Sequence, residues 1–169
     1  DQLKPLVKLQ PGQTFSRATL NESTKAITDR LGDDGYAFAN VSAVPQIDDA
    51  GKTVSLALNV DAGRRVYVRR INFKGNIKTQ DEVLRREMRQ TEGSWFATRD
   101  VNRSKERLER LAFVQEVTVE TPAVPGTPDQ VDLNYSVTER PAGSLSFGIG
   151  YGQDAGVLLN ASISQQNFL

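Results

Sequence analysis

Cysteine and histidine are both absent from this chain of 169 residues. Their absence removes thiol nucleophiles, every Ser-His or Cys-His arrangement, and zinc sites built from the usual ligands. Aromatic residues are scarce at 7%, and tryptophan occurs once. No apolar run approaches the roughly 18 residues that a helical membrane span requires. Charge of one sign is lacking too: 21 Lys and Arg balance 21 Asp and Glu. Residues 1–63 hold 6 basic and 8 acidic side chains, residues 64–141 hold 15 and 12, and the remainder holds only Asp154. None of these segments makes the strong positive field that marks a nucleic-acid partner. What is present, a quarter charged and 38% hydrophobic, is the composition of a folded chain rather than a disordered one.

The chain repeats itself. QPGQTFSRATLNESTKAITDRL matches TEGSWFATRDVNRSKERLERLA at an offset of 81, with Gly12 on Gly93, Phe15 on Phe96, Asn21 on Asn102, Ser23 on Ser104 and Ile27 on Leu108. After a shorter loop in the second copy the offset becomes 77, and TVSLALNV falls on QVDLNYSV. The second copy predicts a strand over 66–76, with Ile71 and Phe73 inward and a one-residue slip at Arg69–Arg70. Gly75-Asn76 closes that strand with turn chemistry. Thr79 and Glu82 have the spacing of a capping box for a helix to about Gln90, with Val83, Leu84 and Met88 as its apolar face. Thr98 is placed to cap a second helix bearing Val101, Leu108 and Leu111, and Trp95–Phe96 are expected to fold back onto the core. Strands follow at 114–121 and 130–138, so the order is β-α-α-β-β. The first copy supplies a helix at 17–33 and strands at 37–44 and 53–61. LKPLVKLQPG reads as the last turns of a preceding helix, so the chain is expected to be a fragment whose first unit lacks its opening strand. A complete unit of about 75 residues is near the size at which one core barely suffices. The short link Asp61-Ala62-Gly63 leaves the units little freedom to swing.

Acidic pairs invite a catalytic reading and do not sustain one. Asp48-Asp49 precedes Ala-Gly-Lys between two strands, where Asp and Gly are turn residues, and Asp33-Asp34-Gly35 reads as a solvated helix end. Neither has a partner carboxylate at a spacing that predicts general acid–base chemistry. The runs RRVYVRR, LRREMR and RSKERLER raise nucleic acid, but Glu87, Glu106 and Glu109 interleave the last two as on a solvated helix face. The β-α-α-β-β order also occurs in KH-type RNA modules, whose GxxG loop is missing from GQTF and GSWF. The penultimate strand of each unit, AFANVSAV and VQEVTVET, is a candidate sheet edge able to accept another chain by β-augmentation. Pro45 or Pro122 could equally blunt such an edge.

The end of the chain differs from the rest. In GSLSFGIGYG, Leu145, Phe147, Ile149 and Tyr151 alternate with Ser and Gly alone, and no Lys or Arg follows Arg140. After GQDAG, Val157, Leu159, Ala161 and Ile163 alternate again. Two strands of 8–10 residues, apolar on one side and small or polar on the other, match a transmembrane β-hairpin. Two strands cannot close a barrel, and an open edge does not survive in lipid, so most of such a barrel must lie elsewhere.

The repeat, with INFKGN (71–76) before a helix containing VLRREM (83–88), resembles the POTRA (polypeptide-transport-associated) domain family. Two copies running through TERP (138–141) into GSLSFGIGYG are similar to the arm-to-barrel junction of the β-barrel assembly proteins of Gram-negative outer membranes. The resemblance implies an α+β fold of tandem POTRA domains, each a three-stranded sheet on two helices, followed by the first two strands of a transmembrane β-barrel. Residues 1–63 would form a POTRA lacking its first strand, 64–141 a complete POTRA, and 142–169 the first barrel hairpin. It implies a non-catalytic, cofactor-free scaffold that helps fold and insert outer-membrane proteins, with residues 1–141 in the periplasm. Its partners would be a BamD-like lipoprotein and other lipoproteins of the machinery, unfolded barrel clients and the outer membrane, with no nucleic acid. The family role of docking that lipoprotein falls on Glu92 and Arg85. Client capture falls on the edge around Val117, Thr118 and Val119, and the lipid-facing first strand of a lateral gate on Leu145, Phe147, Ile149 and Tyr151. A related two-partner-secretion or translocation-assembly transporter is the alternative within this resemblance.

Overall fold

The computed structural model describes residues 3–141, 143–152 and 156–165. A single 3-10 turn at Lys4–Leu6 is followed by an extended segment, so the expected helical tail is reduced to one turn. Pro5 permits that turn, but residues 7–10 then lie along the first unit as irregular chain. Helix α1 (Arg17–Asp33) spans the expected residues and is capped by Ser16, whose hydroxyl accepts the Thr19 N–H. Strands β1 (Asn40–Asp48) and β2 (Thr53–Asp61) form an antiparallel pair. At their turn the Asp48 carboxylate accepts the N–H groups of Ala50 and Gly51, both at 3.1 Å, which is the local role expected of it. Strand β1 begins three residues later than the sequence predicts. Tyr36–Ala39 is a turn instead, tied back by the Tyr36 N–H to the Leu31 carbonyl, and Ala37 packs on the core of the second unit.

The second unit is a three-stranded sheet in the order β3-β5-β4, made of β3 (Tyr67–Lys74), β4 (Val114–Glu120) and β5 (Gln130–Glu139). Strand β5 is central, parallel to β3 and antiparallel to β4. The predicted slip in β3 is present as a bulge between Val68 and Arg70, which keeps Val68 and Ile71 both inward. Alternate residues of β5 (Val131, Leu133, Tyr135 and Val137) are buried, as period two requires of a strand facing helices on one side. Helix α3 (Thr98–Glu109) closes the core with Val101 and Leu108, and Leu111 packs at its rim. The hydroxyl of Tyr135, pushed up to about 12 chiefly by burial, reaches the Val101 carbonyl at 3.4 Å.

Two helix expectations fail. Helix α2 runs only from Asp81 to Arg85, and its N-cap is Gln80 with no side-chain bond, so Thr79 and Glu82 form no capping box. The Thr79 N–H is taken instead by the Glu139 carboxylate at 2.8 Å. After Arg86 the chain leaves the helix because Ser104 accepts the N–H of Arg89 at 2.8 Å, while the Gln90 amide spans Trp95 and Ala97. Leu84 is fully buried, Met88 packs on the core, and Val83 faces solvent. Thr98 is the first helical residue of α3 rather than its cap, a position held by Ala97.

Strands β6 (Gly143–Gly152) and β7 (Gly156–Gln165) pair antiparallel in a separate two-stranded sheet. Leu145 lies opposite Ile163, Phe147 opposite Ala161, Ile149 opposite Leu159 and Tyr151 opposite Val157. Both apolar rows thus share one face. Phe147 is 74% and Ile149 81% exposed.

Candidate partner-docking surfaces

The two edges of the second sheet are unlike. The outer edge of β3 is closed by the loop after α2. Val68 donates to the Ser94 carbonyl at 2.9 Å and accepts from Gly93 at 2.7 Å, and Phe96 donates to Val66 at 3.0 Å. The loop is pinned by stacking of Tyr67 on Trp95, with ring centroids 3.7 Å apart, and by the Arg65 guanidinium 4.2 Å above the indole. Among the described residues, no strand pairs with the outer edge of β4. Pro122 lies two residues past the end of β4 and leaves that edge uninterrupted, whereas Pro45 sits inside β1, opposite Leu56. At the β4 edge Thr118 is exposed, Val119 is half-buried, and the Val117 side chain belongs to the core, so only its backbone is at the rim.

Glu92 and Arg85 are brought together at the other edge. Glu92 Oε1 accepts the Ile71 N–H at 2.8 Å and an Arg85 Nη1 proton at 3.2 Å, while Arg85 Nη2 donates to the Ile71 carbonyl at 2.9 Å. The pair thereby occupies both backbone groups of Ile71, extending the closure of β3 by one residue. The Ile71 N–H, above all, holds the Glu92 carboxyl below its ordinary range, against an opposing effect of burial and with help from Arg85. Both side chains keep nearly half their surface, so the latch is open to a partner on its outer side.

Sequence reading missed the junction between units. Asp33, expected to be solvated, accepts the Arg99 N–H at 2.6 Å and so caps α3 of the second unit from the end of α1. The Asp34 carbonyl accepts from Arg65 Nε at 2.7 Å, and the Gly35 carbonyl accepts the Val66 N–H at 2.9 Å. Gly32 makes this approach possible, because a Cβ there would lie 1.9 Å from Thr98 Oγ1. The one available signal was the DDG run directly after a helix; nothing local identifies the distant helix it serves.

Charged runs elsewhere are largely paired within the chain. Arg69 meets Asp132 through two bonds of 2.9 and 2.6 Å, Arg107 meets Glu87 at 2.6 Å, and Lys105 meets Glu109 one turn on.

This geometry has relatives. The sequence model of the POTRA family (surface antigen variable number repeat) matches residues 1–63 and 66–140. The chain is 40% identical over 98% of its length to the outer membrane protein assembly factor BamA of Neisseria meningitidis, of which it covers 21%. The crystal structure of POTRA domains 3–5 of Haemophilus influenzae BamA superposes with a TM-score of 0.79 at 42% identity, covering 82% of this chain and 55% of that one. BamA of Haemophilus ducreyi lacking POTRA domains 1–3 superposes with a TM-score of 0.73 at 44% identity, over 98% of this chain and 31% of that one. The chain spans about a fifth of the length of the Neisseria relative.

Proposed function

The chain belongs to the POTRA family, and on that premise we propose that it is the membrane-proximal part of an outer-membrane β-barrel assembly factor. Its two units act in the periplasm as a non-catalytic scaffold, and β6–β7 begins the barrel. Unfolded client strands pair with the outer edge of β4, where main-chain hydrogen bonds give affinity without demanding a client sequence. The observation that carries this reading is the asymmetry of the sheet: β3 is closed by its own loop, and among the described residues no strand pairs with the outer edge of β4. An edge left bare in a chain that invests a whole loop in covering the other edge is a feature with a use.

Proline scanning of β4 tests it. Adjacent residues of a strand turn their N–H groups to opposite sides, so of Thr118→Pro and Val119→Pro only one spares the β4–β5 ladder. The ladder-sparing variant should lose crosslinking to client peptides while keeping its circular dichroism. Full crosslinking by that variant ends the edge-capture reading.

A BamD-like lipoprotein docks on the outer side of the Glu92–Arg85 latch. The supporting observation is a charge pair held rigid by Ile71 and still half exposed, which presents fixed charge at no further ordering cost. Glu92→Lys should weaken that docking. Unchanged affinity across salt concentrations removes Glu92 from the interface.

A further inference from the structure

The second unit ends, where β5 leads toward the hairpin, in a loop that presents one bare apolar side chain. Ile77 is 91% exposed, more than any other large apolar residue among those described. A surface isoleucine alone means little. Here it stands at the tip of a loop whose backbone is fixed at every step. Gly75 adopts φ +82 with its Cα against β5, where a Cβ would lie 2.2 Å from the Val137 carbonyl oxygen. The Asn76 amide donates to the Thr79 carbonyl at 2.9 Å and to Asp81 at 2.7 Å. The Glu139 carboxylate accepts the N–H groups of Lys78 at 3.0 Å and Thr79 at 2.8 Å. The acidic groups of this corner are therefore turned onto the loop's own donors. Lys74 and Lys78, on either side of Ile77, are exposed, and among the described residues neither ammonium group has a partner. Arg140, also exposed, spends its Nε on the Val114 carbonyl at the same end.

Position says what such a tip meets. Glu139, which holds the loop, is four residues before Gly143, where β6 begins. Four extended residues span at most about 14 Å. If the apolar face of β6–β7 lies in lipid, Gly143 is at the periplasmic boundary of the bilayer, Glu139 is within that reach of it, and the Ile77 tip stands on the loop that Glu139 holds. An apolar tip between two unpaired ammonium groups is the chemistry of interfacial binding: hydrocarbon enters the acyl boundary and the cations sit among phosphates.

We propose that the 74–78 loop is a membrane-surface contact, with Ile77 entering the periplasmic leaflet and Lys74 and Lys78 bound to anionic lipid headgroups. The contact fixes the tilt of the second unit, and hence of the β4 edge, relative to the bilayer. It rests on the reading of β6–β7 as lipid-embedded, and the experiment separates the two.

The full-length protein is reconstituted in nanodiscs of phosphatidylethanolamine and phosphatidylglycerol with a polarity-sensitive fluorophore on a single cysteine, at Ile77→Cys or, in parallel, Ile149→Cys. The expected result is blue-shifted emission at both sites. Lipids spin-labelled near the headgroup should quench the fluorophore at position 77, lipids spin-labelled at mid-chain should quench it at position 149, and Lys74→Glu with Lys78→Glu should abolish the quenching at 77 alone. A water-like, unquenched signal at 77 beside a quenched signal at 149 overturns the loop proposal and leaves the hairpin reading standing. Loss of quenching at both sites overturns the hairpin reading itself. A blue-shifted signal at 77 that no spin-labelled lipid quenches also overturns the proposal, because the tip then rests on protein.

Discussion

Glu92 shows how one carboxylate serves a strand edge. Its folded-state pKa is depressed, first by the Ile71 N–H, so its stabilisation is complete above the unfolded value and fades as pH falls through the folded one. Glu92→Gln keeps the shape and loses the charge. It should cost about 1 kcal/mol at neutral pH, measured by urea unfolding, and the difference should narrow in acid. An equal loss at both pH values would mean that the charge of the carboxylate is not what holds the edge. At the same scale Leu108, with no exposed surface, is the interior anchor of α3. Leu108→Ala should destabilise the second unit by about 2–5 kcal/mol.

Helix α3 has a short-range cause and a long-range one. Its apolar face is set by Val101, Leu108 and the buried Ser104, whose hydroxyl bonds back to the Asp100 carbonyl at 2.6 Å. Its N-terminus is completed by Asp33, 66 positions away in sequence. Asp33→Ala should cost about 0.5–2 kcal/mol, as loss of a cap does, and should also loosen the angle between units. Pulsed electron–electron resonance between spin labels on α1 and β4 measures this as a broadened distance distribution; an unchanged width would confine Asp33 to capping. Gly32→Ala should broaden the same distribution by holding α1 away from Thr98. Helix α2 teaches the opposite lesson. Its sequence carried a capping pattern and enough apolar residues for three turns, yet Glu139 takes the N–H groups of Lys78 and Thr79 ahead of its start, Ser104 takes those of Arg89 and Gln90, and the helix holds only five residues.

Across the whole molecule, burial is very uneven. Among the described residues, the second unit has a core cluster of thirteen buried apolar residues, whereas the first buries only Leu20 and Ile27 of this kind and leaves Ile47 72% exposed. A helix on two strands has too little surface to hide, and the junction through Gly32, Asp33 and Ala37 lends it the wall of its neighbour. The hairpin hides even less, and on the reading proposed above its exposed rows face lipid. Ile149→Lys should oppose insertion by about 2–4 kcal/mol at mid-bilayer depth, while Ser146→Lys on the other face should be tolerated. Folding yields of the full-length protein in vesicles measure the difference; equal yields would place no lipid against Ile149.

Periodicity and the internal repeat alone determined the β-α-α-β-β order, the strands of the second unit to within two residues, the bulge at Arg69 and the one-faced hairpin. Each is local, because alternation, turn glycines and helix spacing act between residues close in the chain. The closing of β3, the shortness of α2, the capping of α3 by Asp33 and the bare edge of β4 were decided by tertiary structure. Each depends on which donor finds which acceptor across tens of residues, and a backbone N–H takes whichever partner the fold brings nearest.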